Sequence, residues 1–369
     1  MNVSEFAKDW DHEQVVFRRD QETGLKAIIA IHDTTLGPAL GGCRFWDYES
    51  QDEALFDVLR LSRGMTYKAA VAGLPLGGGK SVLIGDPAKL KSEAFFKTFG
   101  RFVQSLGGRY ITAEDVNIRV GDMNQVSLET KYVTGISPEK GGSGDPSPVT
   151  AWGVFCGIKA AAQFRLKRDS LKGLKVAVQG CGSVGRYLCD HLHSEGAELI
   201  ITDINEQNIR LVKEKTGATV VAPEQIFSQD IDVFAPCALG AVLNDDTIAE
   251  LKSPVVAGGA NNQLLDEDKH MKMLTAKNIL YAPDYVINAG GLINVCAELQ
   301  GYQAKKARED ASKIFDTLLK IFKSSEAQGM NTLLSANALA EERILSAKKN
   351  GRPGISQTFD NQSWINRPK

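Results

Sequence analysis

The chain has 369 residues, of which 43% are hydrophobic and 24% charged, and its formal net charge is -2. This length exceeds what one ordinary hydrophobic core serves, so we expect two domains, and the near-neutral charge argues against a nucleic-acid partner. No apolar run approaches the roughly 20 residues that cross a bilayer, and the N-terminal MNVSEFAKDWDHEQ is too polar for a secretory signal. We therefore predict a globular protein with no membrane and no nucleic acid as a partner.

The N-terminal part of the chain mixes strands and helices. Residues 13–34 contain two apolar runs around a polar turn, which predicts a β-hairpin. Residues 53–68 have apolar side chains at helical spacing, and residues 92–106 repeat this pattern, so both segments are predicted helices. The segment SVLIGDP, which follows Lys80, is typical of a strand.

The C-terminal part alternates strands with helices. Residues 137–150 are rich in Gly, Ser and Pro and predict a loop that crosses between domains. Beyond it, the strand-like runs 175–179 and 198–203 each precede a predicted helix. Further apolar runs lie at 218–222, 232–236, 254–258 and 279–283, and helical patterns at 303–328 and 335–349. This alternation indicates the α/β class, with a parallel sheet covered on both faces.

The segment VAVQGCGSVGRYLCDHL contains G-x-G-x-x-G at Gly180, Gly182 and Gly185. The pattern alone is weak, but it lies between a predicted strand and a predicted helix, and Asp203 closes the next strand. The three glycines would permit the tight turn, the approach of a pyrophosphate to the backbone, and close helix–strand packing, respectively. Asp203 can accept hydrogen bonds from both ribose hydroxyls and would repel a 2′-phosphate, so the motif predicts NAD. The residues assigned to the cofactor here are Gly180, Cys181, Gly182, Ser183, Val184, Gly185, Arg186 and Asp203.

A second glycine-rich stretch, GLPLGGGKS at 73–81, nearly matches the P-loop G-x-x-x-x-G-K-[ST] of nucleotide triphosphatases. The first glycine of a P-loop would stand at position 74, which is leucine, and a strand rather than a helix is predicted after Lys80. A P-loop enzyme is therefore disfavoured. We interpret Gly77–Gly79 as a flexible turn that lets the backbone and Lys80 line a cleft closely.

Lys68, Lys80 and Asp115 together have the chemistry that amino-acid oxidation requires. One fixed cation holds the α-carboxylate of the substrate. A second amine, with its pKa lowered by a neighbouring positive charge and by burial, acts as a base near neutral pH, and a carboxylate moves protons at the substrate nitrogen. Sequence spacing leaves open whether the three side chains converge or are separate surface charges.

The six cysteines are scattered, and none forms C-x-x-C or pairs with a histidine at zinc-finger spacing. We expect free thiols in the reducing cytoplasm and no metal site.

From about residue 12 to about residue 348 the chain resembles the amino-acid dehydrogenase superfamily of glutamate, leucine, valine and phenylalanine dehydrogenases. Within it, the chain is most similar to the leucine dehydrogenases. The motifs that carry the resemblance are HDTTLGPALGGCR (32–44), LRLSRGMTYKAA (59–70), GLPLGGGKSVLIGDP (73–87), GRYITAEDVN (108–117), GDPSPVTAWGV (144–154), VAVQGCGSVG (176–185), APCALGAVLND (235–245), GGANNQL (258–264) and YAPDYVINAGGLINV (281–295).

The resemblance implies a fold of two domains separated by a deep cleft. A substrate-binding and oligomerisation domain is expected at 1–140 and 330–369, and a Rossmann-type, doubly wound NAD domain at 141–329. The resemblance assigns Lys80 as the general base that activates water, Asp115 to proton transfer at the amine, and Lys68 to the substrate carboxylate. Further cofactor contacts implied are Thr150, Ala238 and Asn262. The substrate contacts implied are Leu40, Gly41, Met65, Lys68, Ala113, Asn262, Leu292 and Val295.

The expected reaction is the reversible, NAD-dependent oxidative deamination of a branched-chain L-amino acid to its 2-oxo acid and ammonium, with leucine preferred over isoleucine and valine. By resemblance, four apolar residues line the side-chain pocket: Leu40, Ala113, Leu292 and Val295. A second carboxylate there would be desolvated without a partner, at a cost of several kcal/mol, which argues against glutamate.

Two alternatives remain open at this stage. Ala113 matches the leucine enzymes, whereas Asp145 and Leu292 depart from their usual asparagine and valine. Since one methylene changes discrimination by only roughly 1–3 kcal/mol, a phenylalanine or tryptophan dehydrogenase is an alternative. A catalytically silent NAD-binding regulatory protein is the alternative from another class. We expect a homo-oligomer, from dimer to octamer, with the first dozen residues and the tail after Gly351 as assembly contacts.

Overall fold

The computed structural model describes residues 11–238 and 240–350. Residues 1–10 and the tail from Gly351, which include most of the predicted assembly contacts, lie outside this part. Among the described residues, no helix combines the length and the apolar character that a membrane crossing needs.

The chain divides into two compact units. The first unit comprises the described residues up to Asp145, the segment Val295–Ala304 and the described chain from Ala340 onward. The second unit comprises Pro146–Asn294 and Lys305–Leu339. These limits differ from those predicted, because residues 141–145 and 295–304 belong to the first unit and its last segment begins ten residues later than expected. The functions assigned to the two units stay predictions.

The first unit is built on a five-stranded sheet with strand order β1-β2-β4-β3-β5. Its strands are β1 (Gln14–Arg19), β2 (Lys26–Asp33), β3 (Ala39–Trp46), β4 (Gly77–Ile84) and β5 (Tyr110–Glu114). Its helices in the segment that ends at Asp145 are α1 (Gln51–Val71), α2 (Pro87–Leu90), α3 (Glu93–Gln104) and α4 (Val120–Val126). Strands β1 and β2 form the predicted antiparallel hairpin, whereas β3 runs parallel to both β4 and β5.

Helices cover this sheet because their apolar side chains pack against apolar side chains of the strands. Ser50 caps α1 by accepting a hydrogen bond from the Glu53 N–H, and Leu55 and Val58 of α1 pack against Val82 of β4. Helix α3 buries four phenylalanines, of which Phe95 stacks on Phe45 of β3 at 5.1 Å between ring centroids. Burying each such side chain contributes about 1.5–3 kcal/mol, so the two helices fix the sheet that positions Lys80.

The second unit is built on a six-stranded parallel sheet with strand order β11-β10-β9-β6-β7-β8. Its strands are β6 (Lys175–Gln179), β7 (Glu198–Thr202), β8 (Thr219–Val220), β9 (Val233–Pro236), β10 (Val255–Val256) and β11 (Leu280–Tyr281). The order reverses between β6 and β9, as it does in doubly wound dinucleotide-binding sheets. The predicted α/β fold with a doubly wound parallel sheet is confirmed.

The first helix after Asp145 is α5 (Ser147–Ala161). It starts inside the predicted loop 137–150 and is followed by a π-helical turn, Ala162–Leu166. The others are α6 (Ser183–Ser194), α7 (Glu206–Thr216), α8 (Asp245–Glu250), α9 (Glu267–Ala276), α10 (Asp284–Ile287), α11 (Gly290–Glu298), α12 (Ala304–Ser312), α13 (Ile314–Gln328) and α14 (Thr332–Lys349). Glycines let α5 pack closely in this unit. A Cβ on Gly153 would stand 2.6 Å from Ile314, and one on Gly157 would stand 2.4 Å from Ile287.

The interpretation of Gly77–Gly79 as a flexible turn is wrong, because these residues begin the buried strand β4. They are glycines because neighbouring chains approach the strand closely. A Cβ on Gly78 would stand 2.1 Å from the backbone nitrogen of Thr66 in α1, and one on Gly77 would stand 2.0 Å from the Asp33 carbonyl oxygen. The run is therefore a tightly packed strand that leads directly to Lys80.

Candidate active site

Buried Lys80 and half-buried Asp115 form an ion pair in the first unit. The side chain of Lys80 leaves the middle of β4, and Asp115 follows the last residue of β5. Strand β3 lies between these two strands, and its Gly42 leaves room for the pair, because a Cβ there would stand 2.7 Å from the Asp115 Cβ and 3.3 Å from Lys80 Nζ. Lys80 Nζ lies 2.5 Å from Asp115 Oδ2. The structure thus brings together the two residues predicted to be catalytic, and a proton can pass between them.

A second cation contacts the same carboxylate. Arg44 on β3 donates a hydrogen bond from Nε to Asp115 Oδ2 at 3.3 Å. Burial of Asp115 acts to raise its pKa, but Lys80, Arg44 and the hydrogen bonds to the carboxylate outweigh burial and hold the pKa below its usual value. Asp115 is therefore a carboxylate at neutral pH.

Arg44 and Asp57 were missed by reasoning from the sequence. Arg44 closes the motif GGCR, and a charged residue inside an otherwise buried strand was the available signal. Asp57 Oδ2 accepts hydrogen bonds from Arg44 Nη1 and from the Tyr48 hydroxyl, both at 2.8 Å. Asp57 lies in α1, so this pair joins the helix to the sheet beside Asp115.

The remaining predicted substrate residues of the first unit lie on the same elements. Leu40 and Gly41 are buried in β3, where they pair with Ile111 and Thr112 of β5, and Ala113 pairs with Gly42. Met65 and Lys68 are half-buried in the C-terminal half of α1. Val295 is buried in α11. The convergence of Lys68 with the Lys80–Asp115 pair stays a prediction.

The glycine-rich turn of the second unit has the geometry of a phosphate-binding loop. Gly180 has a φ of +99°, and a Cβ there would stand 2.7 Å from the Ala238 nitrogen. A Cβ on Gly185 would stand 1.9 Å from the Gly180 carbonyl oxygen, so α6 packs tightly on the turn. Gly182 faces open space and begins α6 without a side-chain cap, which leaves N–H groups at the helix start for an anion. This arrangement fits a dinucleotide pyrophosphate.

Asp203, just after β7, is tied into this turn. Its Oδ2 accepts a hydrogen bond from the Cys181 N–H at 2.6 Å, and its Oδ1 accepts one from the Asn205 N–H at 2.7 Å. Each carboxylate oxygen has a further lone pair, so the residue can still accept hydrogen bonds from a ribose. Cys181 is buried, whereas Ser183 is exposed and Val184 and Arg186 are half-buried on the first turn of α6.

The other predicted cofactor contacts belong to the second unit. Thr150 donates its hydroxyl hydrogen to the Pro146 carbonyl in the first turn of α5. Asn262 is exposed and has a φ of +49°. Its backbone carbonyl oxygen accepts a hydrogen bond from the Ala241 N–H. Ala238 is exposed beside Gly180. Leu292, a predicted substrate contact, is buried in α11.

Known proteins resemble the chain over nearly its whole length. The family model for the Glu/Leu/Phe/Val dehydrogenase dimerisation domain matches residues 12–132, and the model for glutamate/leucine/phenylalanine/valine dehydrogenases matches residues 141–205 and 199–351. A leucine dehydrogenase of Bacillus cereus is 55% identical over 348 residues, which cover 94% of this chain and 95% of that protein. A leucine dehydrogenase of Thermoactinomyces intermedius is 56% identical over 349 residues, which cover 95% of each protein.

A solved structure is similar as well. The crystal structure of L-tryptophan dehydrogenase from Nostoc punctiforme has a TM-score of 0.84 and 50% sequence identity, and the match covers 94% of this chain and 100% of that one. Both family models and these relatives agree on the family. The chain belongs to the Glu/Leu/Phe/Val dehydrogenase family and is an amino-acid dehydrogenase, a class of NAD(P)-dependent enzymes.

Proposed function

We propose that the protein catalyses the reversible, NAD-dependent oxidative deamination of a branched-chain L-amino acid, with leucine as the preferred substrate. The observation that carries this proposal is the contact of 2.5 Å between Lys80 Nζ and Asp115 Oδ2 in a chain of this family. A base paired with a carboxylate is what the hydrolytic half of the reaction requires.

NAD, when bound, accepts the hydride that leaves the substrate α-carbon. Loss of the hydride leaves the substrate as an iminium, and in our proposal Lys80 and Asp115 act on it. Neutral Lys80 takes a proton from water as the water oxygen bonds to the α-carbon. Before the hydride leaves, Asp115 takes a proton from the substrate ammonium group, and it returns this proton to the nitrogen after water has added. The C–N bond then breaks, the hydroxyl proton passes to the departing ammonia, and the 2-oxo acid and ammonium leave. Lys68 holds the substrate carboxylate by its charge, and Thr150 and Asn262 contribute contacts near the nicotinamide and the substrate.

The apolar character of four residues supports a hydrophobic substrate: Leu40, Ala113, Leu292 and Val295. All four are buried, so a charged substrate side chain beside them would lose its hydration without gaining a partner. Identity of 55% to the leucine dehydrogenase of B. cereus favours leucine. Tryptophan is the second candidate, since the N. punctiforme enzyme, an L-tryptophan dehydrogenase, is 50% identical and has a TM-score of 0.84.

A steady-state survey of NADH formation tests this proposal. The substrates are leucine, isoleucine, valine, methionine, phenylalanine, tryptophan and glutamate at matched concentrations. We expect the highest kcat/KM with leucine, lower values with isoleucine and valine, and no turnover of glutamate. A higher kcat/KM with tryptophan or phenylalanine would contradict the substrate assignment. Absence of NADH formation with every amino acid would instead support a silent NAD-binding protein.

Replacement of the base tests the catalytic assignment. We expect Lys80→Ala to abolish turnover while NAD binding, followed by quenching of protein fluorescence, stays nearly unchanged, because Lys80 belongs to the first unit and the dinucleotide turn to the second. Lys89→Ala, at an exposed lysine of α2, is the control. Turnover by Lys80→Ala at the wild-type rate would rule out its assignment as the base.

Asp203 is the basis for proposing NAD rather than NADP. Asp203→Asn removes the charge that would repel a 2′-phosphate and retains an acceptor oxygen, whereas Asp203→Ala also removes both hydrogen bonds to the Cys181 and Asn205 N–H groups. We expect both variants to lower the ratio of NAD to NADP activity. An unchanged ratio in both would show that cofactor preference is set elsewhere.

We also propose that the protein is a homo-oligomer and cytoplasmic. The family model that matches residues 12–132 is described as a dimerisation domain. Strand β1 forms an edge of its sheet, whose backbone groups could pair with a strand of another copy. The six cysteines are free thiols, which fits a reducing compartment. Light scattering coupled to size-exclusion chromatography measures the molar mass of the assembly. A monomer at micromolar concentration would contradict the proposed homo-oligomer.

A further inference from the structure

Asp115 differs from an ordinary member of an ion pair because one of its oxygens contacts two cations. Oδ2 lies 2.5 Å from Lys80 Nζ and 3.3 Å from Arg44 Nε. Arg44 is in register with Val82 on the neighbouring strand β4, two residues beyond Lys80, so both side chains leave the same face of the sheet. The carboxylate therefore keeps one cation when the other changes its charge.

The far end of Arg44 is held in place. Its Nη1 donates to Asp57 Oδ2 at 2.8 Å, and the same oxygen accepts a hydrogen bond from the Tyr48 hydroxyl at 2.8 Å. The other oxygen of Asp57 accepts a hydrogen bond from Arg60 Nη2 at 3.1 Å. Because a guanidinium is planar and rigid, contacts at both ends fix the direction in which Nε points.

The proposed reaction explains why a second cation is needed. Lys80 has to be neutral before it can take a proton from water, and in that state it no longer neutralises Asp115. Burial then favours the protonated carboxyl group, which cannot accept a proton from the substrate amine. Arg44 stays charged throughout the accessible pH range. We propose that Arg44 is a positioning residue that keeps Asp115 ionised and oriented while Lys80 is neutral, an inference that rests on the proposed function.

The other titratable groups around Asp115 do not take over this task. Burial, and then nearby negative charge, raises the pKa of Tyr48 and of Tyr110 above the ordinary tyrosine value. Burial raises the pKa of Cys43 to about 12. All three groups are neutral at neutral pH. Lys80 and Arg44 are cations that lower the pKa of Asp115, and Asp57 is a further anion of this network.

Arg44→Gln tests the inference. The active form has neutral Lys80 and ionised Asp115, so the acid limb of the pH profile of kcat/KM for leucine belongs to this coupled pair. Without Arg44 the pair takes up a proton at higher pH, so the limb should move upward by roughly one unit, with a roughly tenfold loss on that limb. Arg44→Lys retains a charge but cannot span Asp115 and Asp57, so the limb should move upward by less than in Arg44→Gln. Arg60→Gln, which removes another cation from Asp57 without a contact to Asp115, should leave the limb in place. A purely structural role would lower the folded fraction and leave the limb unmoved.

A readout that needs no turnover separates this inference from the proposed function. Carbon NMR of isotope-labelled aspartate carboxyl groups, with Asp115→Asn to identify the resonance, follows the ionisation of Asp115 directly. We expect its titration to move to higher pH in Arg44→Gln and Arg44→Lys and to stay in place in Arg60→Gln. An unmoved titration would overturn the inference even if the wild type oxidises leucine. A wild type without any dehydrogenase activity would overturn the proposed function, and the titration would still decide whether Arg44 sets the ionisation of Asp115.

Discussion

Glu114 and Asp115 are neighbours in the chain, yet the fold places their carboxyl groups in opposite environments. Asp115 contacts two cations, whereas Glu114 Oε1 is buried without a hydrogen-bond partner in the described part of the chain. Burial, followed by the nearby charges of Asp145 and Glu298, raises the pKa of Glu114 to about 7. Successive side chains of an extended strand point to opposite faces, which is why one residue step separates these environments.

The raised pKa of Glu114 predicts a pH-dependent stability. Since the folded pKa is above the unfolded value of about 4.3, the contribution of protonated Glu114 is complete below that value and is lost as the pH rises through about 7. Glu114→Gln removes this loss. The difference in free energy of unfolding between the variant and the wild type should therefore be more favourable to the variant at about pH 8 than at about pH 5, by about 1–2 kcal/mol after allowance for the partial exposure of Glu114.

Urea unfolding at the two pH values measures the difference for Glu114→Gln. Glu22→Gln, at an exposed glutamate in the β1–β2 turn, is the matched control. Equal changes in the free energy of unfolding at both pH values would contradict the prediction.

At the scale of elements, the glycines of β3 and β4 let two strands and a helix approach one another beside Lys80. A Cβ on Gly41 would stand 1.7 Å from the Gly79 carbonyl oxygen, and one on Gly78 would stand 2.1 Å from the Thr66 nitrogen. Glycine ordinarily weakens a strand, so a run of it within a buried strand indicates close backbone packing. This packing keeps the position of Lys80 on the sheet.

The close packing predicts a large difference between two glycine substitutions on contacting elements. Gly78→Ala should destabilise the fold by about 1–3 kcal/mol or more, because the added methyl group meets the backbone of α1. Gly64→Ala, at an exposed position within α1 where a Cβ meets nothing within 4 Å, should stabilise it by about 0.5–1 kcal/mol. Urea denaturation of both variants is the measurement, and equal effects would contradict the packing argument.

Helix α8 provides a second test at this scale, because a side chain from α9's end caps it. Lys277 Nζ donates to the carbonyl oxygens of Ile248 and Ala249 at 2.7 Å and of Leu251 at 3.1 Å. Lys277→Met retains much of the aliphatic stem and removes the charge, so we expect a loss of about 1–2 kcal/mol in the free energy of unfolding. Lys272→Met, at an exposed position of α9, should have little effect. The same loss in both variants would exclude the capping role.

At the scale of the whole molecule, the C-terminal half of α14 completes the first unit although it is distant in sequence. Arg343 donates hydrogen bonds to the carbonyl oxygens of Ala70 at 2.7 Å and Leu74 at 3.0 Å. Lys348 Nζ lies 3.2 Å from Asp33 Oδ2 in β2. The contacts of Arg343 tie the C-terminal segment to the end of α1 and to the residues that follow it, and Lys348 ties the segment to β2.

Removal of these contacts should loosen the first unit selectively. We expect Arg343→Ala to speed hydrogen exchange in the last turn of α1 and in residues 340–349, and to leave β6 and β7 of the second unit unchanged. The expected cost is about 1–3 kcal/mol, because two part-buried carbonyl groups lose a hydrogen bond from a charged donor. Glu342→Ala, at an exposed neighbour, is the control. Exchange that increases equally in both units would contradict the assignment of this segment to the first.

The sequence by itself determined the elements whose signals are local. The hairpin 13–34, the strand 175–179 and the glycine turn from Gly180 onward follow from patterns within a few residues, and the structure has all three. Strand β3 was not predicted, and the glycine run before Lys80 was mistaken for a turn, because close packing against another segment leaves no local pattern. Whether Lys80 and Asp115 meet depended on β3 lying between their strands, which is a matter of strand order and register. Only the tertiary structure decides such contacts, since the energy of an ion pair depends on distance in space and not on separation along the chain.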